Sequence, residues 1–340
     1  MVHGSDAGEG APGIVERLWD GRLGAMGAVL NTILAPAELA FRTLVAARDR
    51  AYRLGVFRTR PAPAPAISVG NLTVGGTGKT PLVRWVVKQL LERGRTPGIL
   101  HGGYSDDEPA LHRHWFPALP VVARRDRVSA AERAVEAGAD VLVLDDGFQH
   151  RRIGRQLDVV LVAAETWTPS PRLLPRGPYR EPVRALDRAG VVVVTRRQAG
   201  GAAAARVARE IRATASSPVA IAYLAPGSWL DPGGRPRTDS PERGVAVAGV
   251  GQPVAFFDQL RDRGVALTDT MAFRDHHAYS REDAAAIRRA AGGGAVITTA
   301  KDAVKLHPLL PDTELWVLDQ QVIFEEGRDT LVAAVEEALR

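Results

Sequence analysis

Cysteine is absent from this 340-residue sequence. That one absence excludes a disulfide framework, a thiolate zinc site and a cysteine nucleophile, and it fits a reducing compartment. A secretory leader is not visible either. The first twelve residues, MVHGSDAGEGAP, are acidic and glycine-rich rather than basic and then apolar, and they are expected to form a disordered tail. A continuous apolar run of spanning length is also missing. Leu23 to Ala37 is nearly all apolar, but Pro36 and Glu38 interrupt it short of the ~20 residues that a spanning helix needs. There is no internal repeat, and no low-complexity tract beyond alanine-rich patches.

What remains has the balance of a globular protein, with 45% hydrophobic and 24% charged residues. The length suits two modest domains, or one domain with a large appendage. Lys and Arg number 44 against 39 Asp and Glu, a formal net charge of +5. A mild basic excess suits nucleotides, nucleic acid or an anionic membrane surface. Most of the basic residues are arginine, whose planar fork favours paired phosphate contacts.

Residues 13–60 form a first segment that reads as helical. Its second part, FRTLVAARDRAYRLGVFRTR at 41–60, interleaves arginines with Phe41, Leu44, Val45, Tyr52, Leu54 and Phe57. Basic and apolar residues mixed at helical spacing predict an interfacial helix on anionic lipid. A helical hairpin packed on the domain, with solvated arginines, is the competing reading. The apolar stretch before it favours lipid.

The stiff connector PAPAP follows at 61–65. From there strands and helices alternate. Apolar strand-like runs near 66–70, 98–100, 121–123, 141–144, 159–163 and 191–195 are separated by helical stretches near 79–93, 129–136 and 202–214. This pattern predicts an α/β fold, a parallel sheet covered by helices on both faces, over 61–240. The Gly/Pro/Asp-rich stretch at 225–244 reads as a domain junction, and a smaller α/β domain is expected over 241–340.

The stretch AISVGNLTVGGTGKTP is the most informative. A strand runs into a glycine-rich turn, and Gly78-Lys79-Thr80 opens a helix. Glycines let successive backbone N–H groups face phosphate oxygens, and the helix N-terminus adds partial positive charge. The loop Thr73, Val74, Gly75, Gly76, Thr77, Gly78, Lys79 and Thr80 is therefore the expected nucleotide cradle. Lys79 would sit against the β- and γ-phosphates, and Thr80 would ligate Mg²⁺. The strict pattern has glycine at the first position, where this chain has Thr73; Gly75 and Gly76 supply the freedom inside the loop. The strand-end sequence VLVLDD, residues 141–146, provides the acidic half of such a site. Asp145 or Asp146 would hold Mg²⁺, directly or through water. These two motifs predict a P-loop NTPase-like fold with Mg-ATP as its cofactor, and a kinase is the expected activity.

With both motifs placed, the surrounding residues resemble one family, the tetraacyldisaccharide 4'-kinases of the lipid A pathway. ISVGNLTVGGTGKTP is similar to that family's phosphate loop, including the threonine at its first position. LDDGFQHRR (144–152), Asp107-Glu108-Pro109, LLPRGPYREP (173–182), Asp275-His276-His277 and TAKDAVK (299–305) resemble five further family motifs in the same order. The likeness covers roughly residues 13–320. It implies ATP-dependent phosphorylation of the 4'-hydroxyl of an acylated glucosamine disaccharide 1-phosphate. It also implies a peripheral or monotopic enzyme on the cytoplasmic face of the bacterial inner membrane, in contact with anionic lipid. Neither nucleic acid nor an obligate protein partner is expected.

The resemblance also assigns roles. Asp107 is the implied general base, with His276 pairing to orient or tune it on domain closure. His150 would reach nucleotide or acceptor, and Arg180 and Glu181 sit on a Pro/Gly-bounded loop suited to acceptor contact. Lys301 and Asp302 are read as structural. On residue type alone Asp107 belongs to the run SDDE, whose commoner fate is a solvated acidic loop. One departure stands out. Where the family has Ser-Arg-Gly-Tyr, this chain has His101-Gly102-Gly103-Tyr104, so a basic residue near the phosphates is missing; Arg124, Arg125 and Arg127 are the nearest replacements in sequence. Two other classes compete: a P-loop kinase with a soluble acceptor, and a nucleotide-driven switch or metallochaperone. The N-terminal apolar and arginine-rich segment argues against the first. The lack of cysteine and of an N-K-x-D segment argues against the second.

Overall fold

The computed structural model describes residues 14–168 and 170–340; the tail expected at 1–12 lies outside the described residues. Two helices come first, α1 (Ile14–Trp19) and α2 (Gly24–Arg53). Then follow β1 (Ala66–Asn71), α3 (Lys79–Leu91), β2 (Pro97–His101), α4 (Asp107–Trp115), β3 (Val121–Ala123), α5 (Arg127–Glu136) and β4 (Val141–Asp145). Next are β5 (Leu157–Ala163), β6 (Val191–Arg196), α6 (Gly201–Arg212) and β7 (Val219–Leu230). The last elements are β8 (Arg243–Ala248), α7 (Pro253–Asp262), β9 (Ala266–Ala272), α8 (Arg281–Ala291), β10 (Val296–Thr299), α9 (Ala300–Leu306), β11 (Leu315–Glu326) and α10 (Arg328–Glu337).

Two compact units result. The larger comprises Leu18–Ala225 with Gln321–Arg340; the smaller comprises Pro226–Gln320 with the described residues before Leu18. The sequence-based boundary at 240/241 thus differs from the structural one at 225/226. Pro226 and Gly227 read as junction residues, yet both lie inside the single strand β7. The C-terminal helix also falls in the larger unit rather than the smaller. Leu331, Val335 and Ala338 are buried in the same core as Val83 and Val87 of α3.

In the larger unit the strand order is β3-β2-β4-β1-β5-β6-β7, and neighbouring strands pair in parallel. Two-residue periodicity sends alternate side chains to opposite faces. Val159, Leu161, Val191 and Val193 face the core beneath α3 and α10. Val160, Val162, Val192 and Val194 face the other core, beneath Val207 and Ile211 of α6. Burial on both faces explains why these strands are continuous apolar runs in sequence. Each such side chain contributes about 1.5–3 kcal/mol of hydrophobic stabilisation. The winding reverses at β1, whose neighbours are β4 on one side and β5 on the other. The carboxyl ends of strands at such a reversal form the ligand crevice of doubly wound sheets.

In the smaller unit β10 pairs in parallel with both β11 and β8, and β8 pairs in parallel with β9. Phe256, Phe257 and Leu260 of α7 pack there with Trp229 and Trp316.

Helix α2 runs unbroken for 30 residues through Pro36, contrary to the interruption read from Pro36 and Glu38. The glutamate does not end the helix because it is a tertiary anchor. Glu38 is buried, accepts the Leu173 N–H at 2.9 Å and pairs with Arg176 at 2.9 Å. By length and composition α2 is long and apolar enough to cross a membrane. Met26, Val29, Ile33, Leu39 and Leu44 are all exposed on it.

Candidate active site

β1 ends at Asn71 and α3 begins at Lys79, so residues 72–78 form the loop between them at the reversal point. Gly78 caps the helix with φ 91°, in the left-handed region, and a Cβ there would lie 2.3 Å from Leu224 Cδ1. Only glycine meets both constraints. No side chain caps the α3 N-terminus, which leaves its first N–H groups for a ligand. The loop is braced from several sides. Asn71 Nδ2 donates to Thr77 Oγ1 at 2.9 Å, Thr195 Oγ1 donates to the Thr77 carbonyl at 2.8 Å, and Arg197 Nη1 donates to the Gly76 carbonyl at 2.6 Å. Thr73, at the position of the strict pattern's glycine, forms an antiparallel bridge with Tyr179 and is not among the residues with positive φ. A side chain is therefore tolerated there, which accounts for the departure from the strict pattern.

Lys79 Nζ lies 3.2 Å from Asn71 Oδ1 and 3.7 Å from Asp146 Oδ1. Arg180 grips the same carboxylate with both ends of its fork, at 2.9 Å and 2.8 Å, and also donates to the Asn71 side chain. Bidentate, charge-assisted contacts of this type are strong and directional. Asp146 itself has φ 55°, an uncommon backbone conformation outside glycine that aspartate tolerates better than most residues. Two adjacent carboxyls are thereby pushed apart in acidity. Burial raises the Asp145 carboxyl to about 6. Burial acts on Asp146 too, but the Arg180 hydrogen bonds and the charges of Lys79 and Arg180 outweigh it and hold that carboxyl well below the usual range. Divergent neighbours of this kind are characteristic of functional sites.

Asp145 ends β4 in register with Val69 of β1, which brings its carboxyl beside the phosphate loop. Of the three arginines named as replacements for the missing basic residue, Arg127 is the one brought here. It is buried, donates from Nη2 to the Asp145 carbonyl at 3.0 Å, and lies beside Gly102. Arg124 instead reaches Ser129 Oγ, and Arg125 stands over the Tyr104 ring. His150 is half-buried; burial and the Arg127 charge lower it to about 4, so the imidazole is neutral at physiological pH.

The remaining sequence candidates separate. Asp107 is the first residue of α4, so the acidic run opens a helix rather than lying in a solvated loop; acidic residues suit that end of a helix dipole. Its N–H donates to Ser105 Oγ at 3.2 Å. Glu181 is fully buried and faces away from the phosphate loop towards helix α2, held by Arg48 and Arg188. His276 lies in the smaller unit with φ 61°, its N–H on Asp275 Oδ1. Lys301, read from sequence as structural, lies 2.9 Å from Asp275 Oδ1 and 3.3 Å from His276 Nε2. Thr195 and Arg197, at and just after the end of β6, carried no recognisable sequence signal, because strand pairing and not spacing brings them to the loop.

Residues 30–340 match the family described as tetraacyldisaccharide-1-P 4'-kinase (LpxK). A tetraacyldisaccharide 4'-kinase from Anaeromyxobacter dehalogenans (strain 2CP-1 / ATCC BAA-258) is 36% identical, covering 94% of this chain and 94% of its own. That of Geobacter metallireducens (strain ATCC 53774 / DSM 7210 / GS-15) is 38% identical over 83% of this chain and 89% of its own. The crystal structure of the "apo" form of LpxK from Aquifex aeolicus in complex with ATP is similar with a TM-score of 0.75 at 26% identity, covering 92% of this chain and 100% of that one. A glycine-capped phosphate loop, a split aspartate pair and a match over most of the sequence agree: the chain belongs to the tetraacyldisaccharide-1-P 4'-kinase family.

Proposed function

We propose that this protein transfers the γ-phosphoryl group of ATP to the 4'-hydroxyl of an acylated glucosamine disaccharide 1-phosphate, as a step in lipid A synthesis. The observation that carries the reading is the convergence of Lys79 and Arg180 on Asp146 at the end of the phosphate loop. Two cations there match the charge that spreads over the phosphoryl oxygens during transfer.

Residues Thr73–Thr80 would hold the triphosphate through backbone N–H groups and the Lys79 ammonium. Thr80, Asp145 and Asp146 fit Mg²⁺. They are hard oxygen donors, and Asp145 Oδ2 is buried without a hydrogen-bond partner. Held by these residues, Mg²⁺ would supply positive charge against the charge that develops on the phosphoryl group. Asp107 is proposed to take the proton of the acceptor hydroxyl, with His150 and Arg180 as contacts for nucleotide or acceptor. His276, backed by Asp275 and Lys301, is proposed as a second group acting on the acceptor. The exposed apolar residues of α2, with exposed Arg50 and Arg53 near its end, support docking on anionic lipid at the cytoplasmic face of the inner membrane.

Turnover of the purified protein with and without acylated disaccharide 1-phosphate tests the reading. One ADP per phosphorylated disaccharide, with little ADP in its absence, is expected. ADP release at the same rate without acceptor would reject the kinase in favour of a nucleotide-driven switch.

A further inference from the structure

The family's Ser-Arg is replaced here by His101-Gly102, and the histidine does not point to solvent. His101 ends β2, next to the end of β4, and is buried with His112 of α4 and Asp145. Among the described residues these three form the one group of metal-ligand type in which one ligand atom from each lies within 4.8 Å of the others. His112 Nδ1 is 3.0 Å from His101 Nε2, and His101 Nδ1 is 3.6 Å from Asp145 Oδ2. Two atoms of the cluster, His112 Nε2 and Asp145 Oδ2, are buried with no hydrogen-bond partner. A buried acceptor without a donor is costly, so two of them together mark a place suited to a cation.

The protonation pattern follows from the contacts. His112 also hydrogen-bonds the backbone of Glu108 one turn earlier. Since its Nε2 has no partner, Nδ1 carries the proton and Nε2 the lone pair. His101 Nε2, receiving the His112 proton, then has a lone pair as well, and its Nδ1–H faces Asp145. His112 Nε2 and Asp145 Oδ2 thus hold free lone pairs, and His101 Nε2 gains one when its hydrogen bond from His112 opens. Burial keeps both imidazoles neutral, the form that binds metals. Two imidazoles and one carboxylate are borderline donors of the zinc kind; Mg²⁺ prefers an all-oxygen shell.

We propose that His101, His112 and Asp145 form a binding site for a zinc-type transition-metal dication, and that filling it inhibits the kinase by drawing Asp145 away from magnesium. The binding half stands on geometry alone; the inhibitory half rests on the function proposed above.

The test uses the full chain without nucleotide. Co²⁺ is titrated in, and visible d–d absorption of a nitrogen-ligated site is followed; Zn²⁺ should then displace it. We expect saturation near one Co²⁺ per chain, weakened at least about tenfold in both His101→Ser and His112→Asn. Thermal melts of both variants report whether they fold, and Zn²⁺ should raise the wild-type midpoint but not theirs. No saturable absorption in the wild type, or the same absorption in both variants, overturns the site. Zn²⁺ should also suppress acceptor-dependent ADP release in the wild type, and His112→Asn should remove that sensitivity. Co²⁺ binding without Zn²⁺ inhibition overturns the inhibitory half only. A failure of the kinase reading itself would leave the absorption arm intact.

Discussion

Arg48 of α2 lies 2.6 Å from Glu181, and Glu181 is the residue after Arg180, which grips Asp146. The long apolar helix α2 is therefore tied by an ion pair to the segment carrying Arg180. Glu181 is fully buried, and Arg188 holds its other oxygen at 2.7 Å. Glu38 ties the same helix to the start of that segment through Leu173 and Arg176. Basic residues of α2 that look alike in sequence thus divide into two groups, one inward and one outward.

That division makes a prediction. Arg48→Gln leaves a buried carboxylate half-paired and should cost about 1.5–3 kcal/mol of stability, with reduced kcat. Replacing exposed Arg50 and Arg53 by Gln should leave stability unchanged but weaken binding to anionic vesicles by about 1 kcal/mol per residue, more at low salt than at high. Denaturant midpoints and vesicle sedimentation separate the two. Equal effects of Arg48 and Arg50 substitutions on both readouts would contradict the division.

Lys79→Ala should lower kcat by about 10²–10³ or more, because the β/γ-phosphate charge loses its ammonium partner. Thr80→Ala should instead raise the Mg²⁺ concentration needed for half-maximal rate. Steady-state rates across a Mg²⁺ series check both, and a wild-type rate from Lys79→Ala would remove the phosphate-loop assignment.

Arg180→Lys keeps the charge and loses the fork. Because Asp146 is held at two oxygens, 2.9 Å and 2.8 Å away, a point charge cannot reproduce the contact. We expect a kcat loss of about tenfold or greater, with a rise in the Asp146 carboxyl pKa detectable by NMR titration. Full activity of the lysine variant would show that charge alone suffices.

Asp107→Ala should lower kcat by about 10²–10⁴ while the KM for ATP changes little, as expected of a base acting on the acceptor. His276→Ala should give an equal or smaller loss. Both are read at saturating acylated disaccharide. If Asp107→Ala retains the wild-type kcat, the base is another group, and Asp146 becomes the next to replace.

Stability should fall with acid in a defined window. His101 and His112 are both lowered to about 3, chiefly by burial, whereas an unfolded imidazole titrates near 6.5. Below that value the unfolded chain binds the extra protons, so the stability from these neutral rings is present above about pH 6.5 and is lost as pH falls towards 3. Each ring contributes up to about 1.4 kcal/mol per pH unit. Asp145, raised by burial to about 6 from an ordinary 3.8, has the opposite sign between those values and offsets about one proton. Urea midpoints between pH 5 and 7 should therefore rise with pH in the wild type, and His112→Asn should flatten the slope.

The sequence by itself determined the parallel α/β core, the phosphate loop and the aspartate pair. Each of these is local: a buried strand is a short apolar run, and the loop needs its glycines and Lys79 at fixed spacing. The SDDE run was ambiguous at this level, since an exposed loop and a helix start use the same residues, and packing resolved it as the start of α4. Strand β7 stayed hidden behind Pro226 and Gly227 for a similar reason, their turn preference being overridden by pairing. Only the tertiary structure decided that Arg180 faces Asp146 while its neighbour Glu181 faces Arg48, or that Arg127 rather than Arg124 lies beside Gly102. It likewise decided that His101, His112 and Asp145 meet. The physical reason is common to all of these. The partners lie far apart in sequence, on neighbouring strands such as β2 and β4 or on segments packed beside them such as α2 and α4, and that long-range pairing is a property that no local spacing encodes.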